Sequence, residues 1–474
     1  MPDAITAQSL FQEINPNWHL LSLESICEDI FDCPHSTPKL VGHSNYYMVR
    51  TQDIRSGFLD VSNAVFVSEE AYADRTKRTI PVHGDILLSR EGTYFGDAAE
   101  VPENLNVCLG QRMVLLRPKS ELIKSSFLRI WINSTTFQRY LLGFRDGTVA
   151  ERLNVSTIKK LPIPVPSLKE QEKIISQLIP IEGKESINRQ MNATLEAMAQ
   201  ALFKSWFVDF DPVLDNALAA GNPIPDELQD KAAAREALGD ARKPLPEDIA
   251  ALFPAAFVWT EEMGWIPAGW EVGSIKDFGK VVTGKTPPKA ISDAYSEHGV
   301  PFITPTDIDD QLFLTKTNRF LSASGQDSIK KQKISSGSLS VTCIGSQMGK
   351  TIVAPSDSYT NQQINSIVFH EHEYRNYLLF NLRGRREEIF SLGSSGSTMP
   401  IINKATFEGL TTLLPSSKIL KSFGLQTDSL LESILRSELQ NITLTQLRDA
   451  LLPKLLSGEL RIPDAEKLVE EIQP

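Results

Sequence analysis

At 474 residues, with 41% hydrophobic and 23% charged side chains, the chain has an ordinary soluble composition and the length of two or three domains. No apolar run approaches the ~20 residues that span a bilayer, and the four cysteines, Cys27, Cys33, Cys108 and Cys343, are too scattered for a disulfide scaffold. The net charge of -11 argues at first against nucleic acid, but residues 209–269 alone hold 12 acidic and 4 basic side chains, while residues 18–160 hold 17 of each and residues 270–415 hold 15 basic against 14 acidic. Both large segments are therefore close to neutral and can each present a basic face.

The N-terminus, MPDAITAQSLFQEINPNW, has neither a basic start nor an apolar segment, so nothing there marks export and a reducing cytoplasm is the expected setting. Cys27, Cys33 and His35 lie close together, without a second ligand pair at zinc-site spacing. Short β-branched runs follow, YYMVRT, DILLS and MVLLR, alternating with turn residues and brief helical patterns, which predicts a mixed α/β section. It ends at LPIPVPS, where proline blocks helix and fixes an extended approach. A long helix is predicted next, free of proline from Ser167 to Leu178 and from Ile181 to Phe210, with a kink or break expected at Pro180 and Gly183. Residues 211–269 read as an acidic connector rich in Pro, Ala and Gly, with a short helix at 226–238.

The chain then repeats itself. GWEVGSIKDF matches NWHLLSLESI around Trp270 and Trp18, PTDI at 305–308 matches TQDI at 51–54, and GSLSVTCIGSQMG at 337–349 matches GDILLSREGTYFG at 84–96. The exits match as well, GTVAERLNVSTIKKLPIPVP at 147–166 with GSTMPIINKATFEGLTTLLP at 396–415, all at an offset near 250. A second long helix runs from about Ser416 to Leu452, and at an offset of 249 Ile174 corresponds to Phe423, Ile181 to Leu430, Leu195 to Leu444, Met198 to Leu447 and Leu202 to Leu451. Apolar residues three or four apart, Met191, Leu195, Met198 and Leu202 in one helix and Leu444, Leu447 and Leu451 in the other, mark the seam of two helices packed along each other, with Trp206 at its end. The fold class expected is α+β: two tandem α/β domains joined by two long, coiled-coil-like helices, with pseudo-two-fold symmetry. The boundaries are 1–166 for the first domain, 167–210 for its helix, 211–269 for the linker, 270–415 for the second domain and 416–474 for the second helix and tail.

No motif in the sequence meets the requirements of a catalytic site. GSLSVTCIGSQMGKT suggests a phosphate loop, but Gly345 and Gly349 enclose three residues instead of four, IVAPSDSY after Thr351 reads as strand and turn, and the first copy, REGTYFGDA, has no lysine. The Pro287-Pro288 pair follows Thr286 and precedes Lys289, which does not suit the base-gripping motif of a DNA methyltransferase. His370 and His372, expected on a strand and facing one side, lack a third metal ligand, and Glu170 with Lys173 reads as a solvated helix face.

Several motifs resemble those of the specificity subunit of type I restriction–modification systems. LPIPVPSLKEQEKI is similar to that family's first conserved region, NATLEAMAQALFKSWFVDFDPV to the end of its central helix, and LTQLRDALLPKLLSGELRI to the C-terminal counterpart. HSTPK (35–39) and GKTPPK (284–289) resemble its Thr-Pro turn, and YYMVRTQDI and VPFITPTDI the strand that follows, although Ser-Asn-Tyr stands before Tyr47 where Gly-Ile-Pro is usual. The resemblance implies two target-recognition domains, each reading one half of an asymmetric bipartite DNA sequence, two long helices forming an antiparallel spacer between them, and no catalysis by the chain itself. It implies double-stranded DNA and two methyltransferase subunits as partners, optionally a restriction subunit, no membrane, and S-adenosylmethionine and ATP held by those partners, with no cofactor here. The alternative is a two-headed protein-binding scaffold without DNA recognition.

Sequence is read at base edges, with arginine favoured on guanine and Asn or Gln on adenine. On turns or strand ends near the repeated motifs, the first domain offers His35, Thr37, Lys39, Arg50, Gln52, Arg90, Tyr94, Arg112 and Arg145. The second offers Lys285, Thr286, Lys289, Thr304, Thr306, Ser346, Gln347, Lys350, Gln362 and Gln363.

Overall fold

The entry strand of each repeat pairs with its proline-rich exit: β1 (His19–Ser22) runs antiparallel to β10 (Pro162–Val165), with Leu20 opposite Pro164. The computed structural model describes residues 10, 14–55, 57–61, 64–144, 152–239, 242, 244–394 and 400–459; Arg145 lies outside the described residues, as do parts of the repeated exit motifs (147–151 and 396–399) and the tail from 460. Two compact units emerge, residues 1–186 with 441–474 and residues 187–440.

In the first unit, β2 (Cys27–Asp32), β6 (Ile86–Ser89), β7 (Ala98–Glu100) and β9 (Met113–Pro118) form an antiparallel sheet in the order β2-β9-β6-β7. Leu115 sits opposite both Phe31 and Leu87, and all four residues of β6 are buried, which is why DILLS reads as a continuous apolar run instead of an alternating one. A second sheet joins β3 (Leu40–Val41), β4 (Tyr47–Val49), β5 (Val65–Val67) and β8 (Val107–Leu109) in the order β8-β4-β5-β3, with β8 and β4 parallel. Helix α1 (Glu69–Arg75) is capped by Ser68, whose side chain accepts from Ala71 N, and α2 (Ser125–Ile132) and α3 (Thr135–Leu142) supply Phe127, Trp131 and Phe137 to the core.

The second unit repeats this arrangement strand for strand. After α5 (Asp211–Ala220), α6 (Gln229–Ala237) and the hairpin of β11 (Phe257–Thr260) and β12 (Gly264–Pro267), β13 (Glu271–Ser274) pairs with β22 (Thr411–Leu414) as β1 pairs with β10. One sheet has the order β14 (Gly279–Thr283), β21 (Ile364–Phe369), β18 (Leu339–Thr342), β19 (Thr351–Val353). The other has the order β15 (Tyr295–Ser296), β17 (Phe320–Leu321), β16 (Val300–Ile303), β20 (Tyr359–Thr360), the last pair again parallel. Helices α7 (Tyr374–Gly384) and α8 (Arg386–Ser394) follow. The described residues of the stretch 211–269 contribute to this unit's core, where Val213, Phe253 and Ile266 are buried, and the expected helix is there as a 3-10 turn at Asp226–Leu228 continuing into α6.

The two long helices are α4 (Leu168–Phe207) and α9 (Ser417–Ser457). Where a kink or break was expected, α4 continues without interruption through Pro180. Its entry is a capping box, since Ser167 N and Oγ both donate to Glu170 Oε2 and Glu170 N donates to Ser167 Oγ. That assigns the Glu170 carboxylate a helix-capping role, and these bonds hold it below its usual range. In the first unit Ile174, Leu178 and Ile181 share a core with Leu444, Leu451 and Leu455, and Leu447 packs against it; Glu185, 1% exposed, pairs with Arg448 at 3.5 Å. In the second unit Ala199, Phe203 and Trp206 pack with Phe423, Leu431 and Ile434, with Leu195 and Leu202 at the margin. There Asn188 Nδ2 donates to Gln440 Oε1 at 2.9 Å and Asn192 Nδ2 to Ile434 O at 3.4 Å, so the two helices run antiparallel.

Of the predicted seam, Leu195, Leu202, Leu444, Leu447 and Leu451 take part in the packing, but the two methionines face outward. Met198 is 54% and Met191 41% exposed, while Asn188 and Ala199 are fully buried. The facing surfaces hold asparagines whose Nδ2 groups donate across the contact, and apolar spacing alone does not reveal a buried polar residue that has such a partner.

Candidate nucleic-acid interface

The glycine turns of the two units are alike in their bonding. In the first, Phe95 N donates to Gly92 O at 3.0 Å, Gly96 N to Ser89 O at 2.8 Å and Asp97 N to Tyr94 O at 3.1 Å; in the second, Met348 N donates to Gly345 O at 3.1 Å, Gly349 N to Thr342 O at 2.8 Å and Lys350 N to Gln347 O at 3.4 Å. Gly92 and Gly345 have φ of +87° and +90°, and Gly96 and Gly349 of +87° and +85°, a backbone that side-chain-bearing residues rarely adopt. Strand β19 begins at Thr351, where a phosphate loop would start a helix. The glycines therefore build a turn that exposes Ser346 and Gln347 in one unit and holds Tyr94 half-buried in the other.

The Thr-Pro turns are also built alike. In the first unit Gln111 Nε2 donates to His35 O and to Thr37 Oγ1, each at 3.0 Å. In the second, Thr286 Oγ1 donates to Gln362 Oε1 at 2.8 Å and Lys285 N to Thr360 O at 2.9 Å. The turn presses so closely on the 360–361 backbone that a Cβ on Gly284 would lie 2.2 Å from Asn361 O. His35, Thr37 and Lys39 are exposed in one unit and Lys285, Thr286 and Lys289 in the other. Beside them stand exposed Arg112, at φ +68° and 3.4 Å from Glu91, and exposed Gln362 with half-buried Gln363, whose amide receives Asn361 Nδ2 at 3.0 Å. Arg112 also reaches the glycine turn, with its NH1 3.8 Å from where a Cβ of Gly92 would stand.

Other expected readers have structural work. Arg90 is 4% exposed, 3.3 Å from Asp32 beneath the sheet surface, so its guanidinium is withdrawn from solvent. Arg50 N donates to Asp53 Oδ2 at 2.7 Å and Thr304 N to Asp307 Oδ2 at 2.8 Å, which identifies the repeated TQDI and PTDI motifs as caps of a 3-10 turn. Thr304 Oγ1 is spent on the same carboxylate at 2.7 Å, and Arg50 lies 3.3 Å from Asp53, whereas Gln52 and Thr306 stay exposed on the turn. His370 and His372 lie past the end of β21, where a strand was expected, and His372 Nε2 meets Arg375 NH1 at 3.0 Å.

Two residues escape a reading of the sequence alone. Gln111 corresponds to Gln362 through the repeat, a signal that aligning the halves around MVLLR and INSIV supplies. Arg75, 8% exposed, leaves no such trace: its guanidinium donates to Leu109 O at 2.5 and 3.1 Å, Ser36 O at 2.8 Å and Pro34 O at 3.4 Å, clamping the Thr-Pro turn to the strand that leads into Gln111. All four cysteines are buried and free, and burial raises the thiols of Cys27 to about 12 and of Cys108 and Cys343 to about 11. Among the described residues no cluster has the make-up of a metal site, and no helix is long and apolar enough to cross a membrane.

A duplicated α+β frame that holds differing side chains on matching turns defines a protein built from two tandem copies of one domain. The chain belongs to the type I restriction–modification DNA specificity family: the model of the "Type I restriction modification DNA specificity domain" matches residues 24–197 and again 267–436. It is similar to the type I restriction enzyme HindI specificity subunit of Haemophilus influenzae, 31% identical over 404 residues, 80% of this chain and 86% of that one. It also resembles the MjaIX specificity subunit of Methanocaldococcus jannaschii, 25% identical over 439 residues covering 91% and 88% of the two chains. Its fold is similar to the crystal structure of a type I restriction–modification S subunit from M. genitalium, with a TM-score of 0.50 at 13% identity over 93% of this chain and 96% of the other.

Proposed function

We propose that this chain is the non-catalytic subunit that reads DNA for a type I restriction–modification complex, each unit recognising one part of an asymmetric bipartite target. The observation that carries the reading is the matched pair of turns on one frame, with His35, Thr37, Lys39, Gln111 and Arg112 in one unit and Lys285, Thr286, Lys289, Gln362 and Gln363 in the other. A frame kept identical while its exposed donors and acceptors change is suited to reading two different base sequences in the same manner. Ile187, Met191 and Met198, 59%, 41% and 54% exposed along α4, support docking of a protein partner there. The partners are methyltransferase subunits, which bring S-adenosylmethionine, and optionally an ATP-dependent restriction subunit; this chain contributes recognition and assembly. Footprinting of the chain assembled with its methyltransferase subunit is expected to protect one asymmetric two-part site, with binding that falls steeply as salt rises. Protection spread at random along the DNA would reject the reading.

A further inference from the structure

Lys350 leaves the second glycine turn with its side chain 10% exposed, donating to Ile308 O at 3.3 Å and to Asp309 Oδ1 at 2.9 Å. The carboxylate it meets is 84% exposed, and the next one, Asp310, is 82% exposed and stands 3.5 Å from Arg386 NH1. These residues line a polar cavity of about 110 Å³ together with Thr351 and Arg383. A nearly buried ammonium needs an anion beside it, yet a solvent-exposed carboxylate holds such a partner weakly. Arg383 fixes the loop but not its acids. Its guanidinium donates to the carbonyls of Asp310 at 2.8 Å and of Gln311 and Thr351 at 3.1 Å, and to Glu196 at 3.1 Å, so either aspartate can swing outward without moving the backbone. In the first unit the position corresponding to Lys350 is Asp97, whose N–H makes the same turn bond, so the arrangement belongs to the second unit.

We propose that Lys350 and Arg386 form a subsite for one phosphodiester group, occupied in the free protein by the carboxylates of Asp309 and Asp310 and taken over by the DNA backbone on binding. That the phosphodiester belongs to DNA rests on the function proposed above; the anion subsite itself does not. The exchange lowers affinity for DNA of any sequence, because a phosphate must displace an acid already in place, and so favours sites where other contacts align the backbone.

Two measurements on the full-length chain test this separately. In thermal melts at fixed ionic strength, inorganic phosphate is expected to raise the Tm of D309N/D310N by several degrees more than that of the wild type, and adding K350Q should abolish the difference. Equal protection of both forms, or protection that survives K350Q, overturns the subsite. In the assembled complex, D309N/D310N is expected to bind DNA several-fold tighter, with the slope of log K against log salt steeper by about 0.9 for each further phosphate that the protein neutralises. DNA binding that is unchanged or weaker overturns the exchange. A wild-type complex that binds no DNA, while phosphate acts as expected, rejects DNA as the ligand and leaves the anion subsite standing.

Discussion

Replacing Arg75 with methionine keeps the bulk of the side chain and removes every bond that ties the Thr-Pro turn to β8. The guanidinium makes four hydrogen bonds to three carbonyls, and a hydrogen bond from a charged donor contributes about 1.5–3 kcal/mol net. The sum is reduced in two ways. The Ser36 and Pro34 carbonyls lie on or beside an exposed turn and regain water, and a cation that is 8% exposed no longer has to be buried. A cost of about 3 kcal/mol remains, which for a unit of this size corresponds to a fall in Tm of roughly 6–12 °C. Calorimetry of the full-length chain measures the fall. Discrimination among DNA variants altered in one half of the target measures the functional consequence, expected for one half only. Arg75→Lys should recover little, since an ammonium cannot reach three carbonyls as a planar fork does. A Tm change under about 2 °C with both half-sites still discriminated would refute the clamp.

Two further outcomes follow from buried charges. Glu182 and Arg129, 5% and 3% exposed, form a bidentate pair at 2.6 and 3.2 Å; Glu182→Leu should cost about 3–5 kcal/mol in urea unfolding by stranding the guanidinium, and adding Arg129→Met should recover most of it. A double variant no better than the single one contradicts this. In the second unit, burial and then the charge of Glu196 raise the carboxyl of Glu438 to about 7, with Arg383 opposing. Its folded value lies above its unfolded one, so the stability it contributes is present at acid pH and is lost as pH rises through about 7. Glu438→Gln should therefore raise the Tm at pH 8 and change it little near pH 4, and a variant less stable at pH 8 would disprove the assignment.

Much of the frame was legible because it is written twice. Glycines at matching places in GDILLSREGTYFG and GSLSVTCIGSQMG foretold matching turns, and all of them take positive φ. TQDI and PTDI foretold a matching element, although its chemistry proved to be a cap that occupies Arg50 and Thr304. Arg90 read as a surface arginine because nothing near it in the chain announces Asp32, which arrives on a different strand. Met198 read as part of a seam because spacing counts apolar residues, and the buried Asn188 is invisible to that count.

By itself, then, the sequence determined the duplication, the long helices and the turns, since these depend on local backbone preference and on patterns that repeat along the chain. It also determined that GSLSVTCIGSQMGKT is no phosphate loop, because its spacing and the strand-like run after it are local properties. Which side chains stand free on those turns was decided only by the tertiary structure. Arg75 reaches across 34 residues to Leu109, and Lys350 across 41 to Asp309. Burial and pairing are properties of neighbours in space, and those are supplied by strands that the chain order keeps apart.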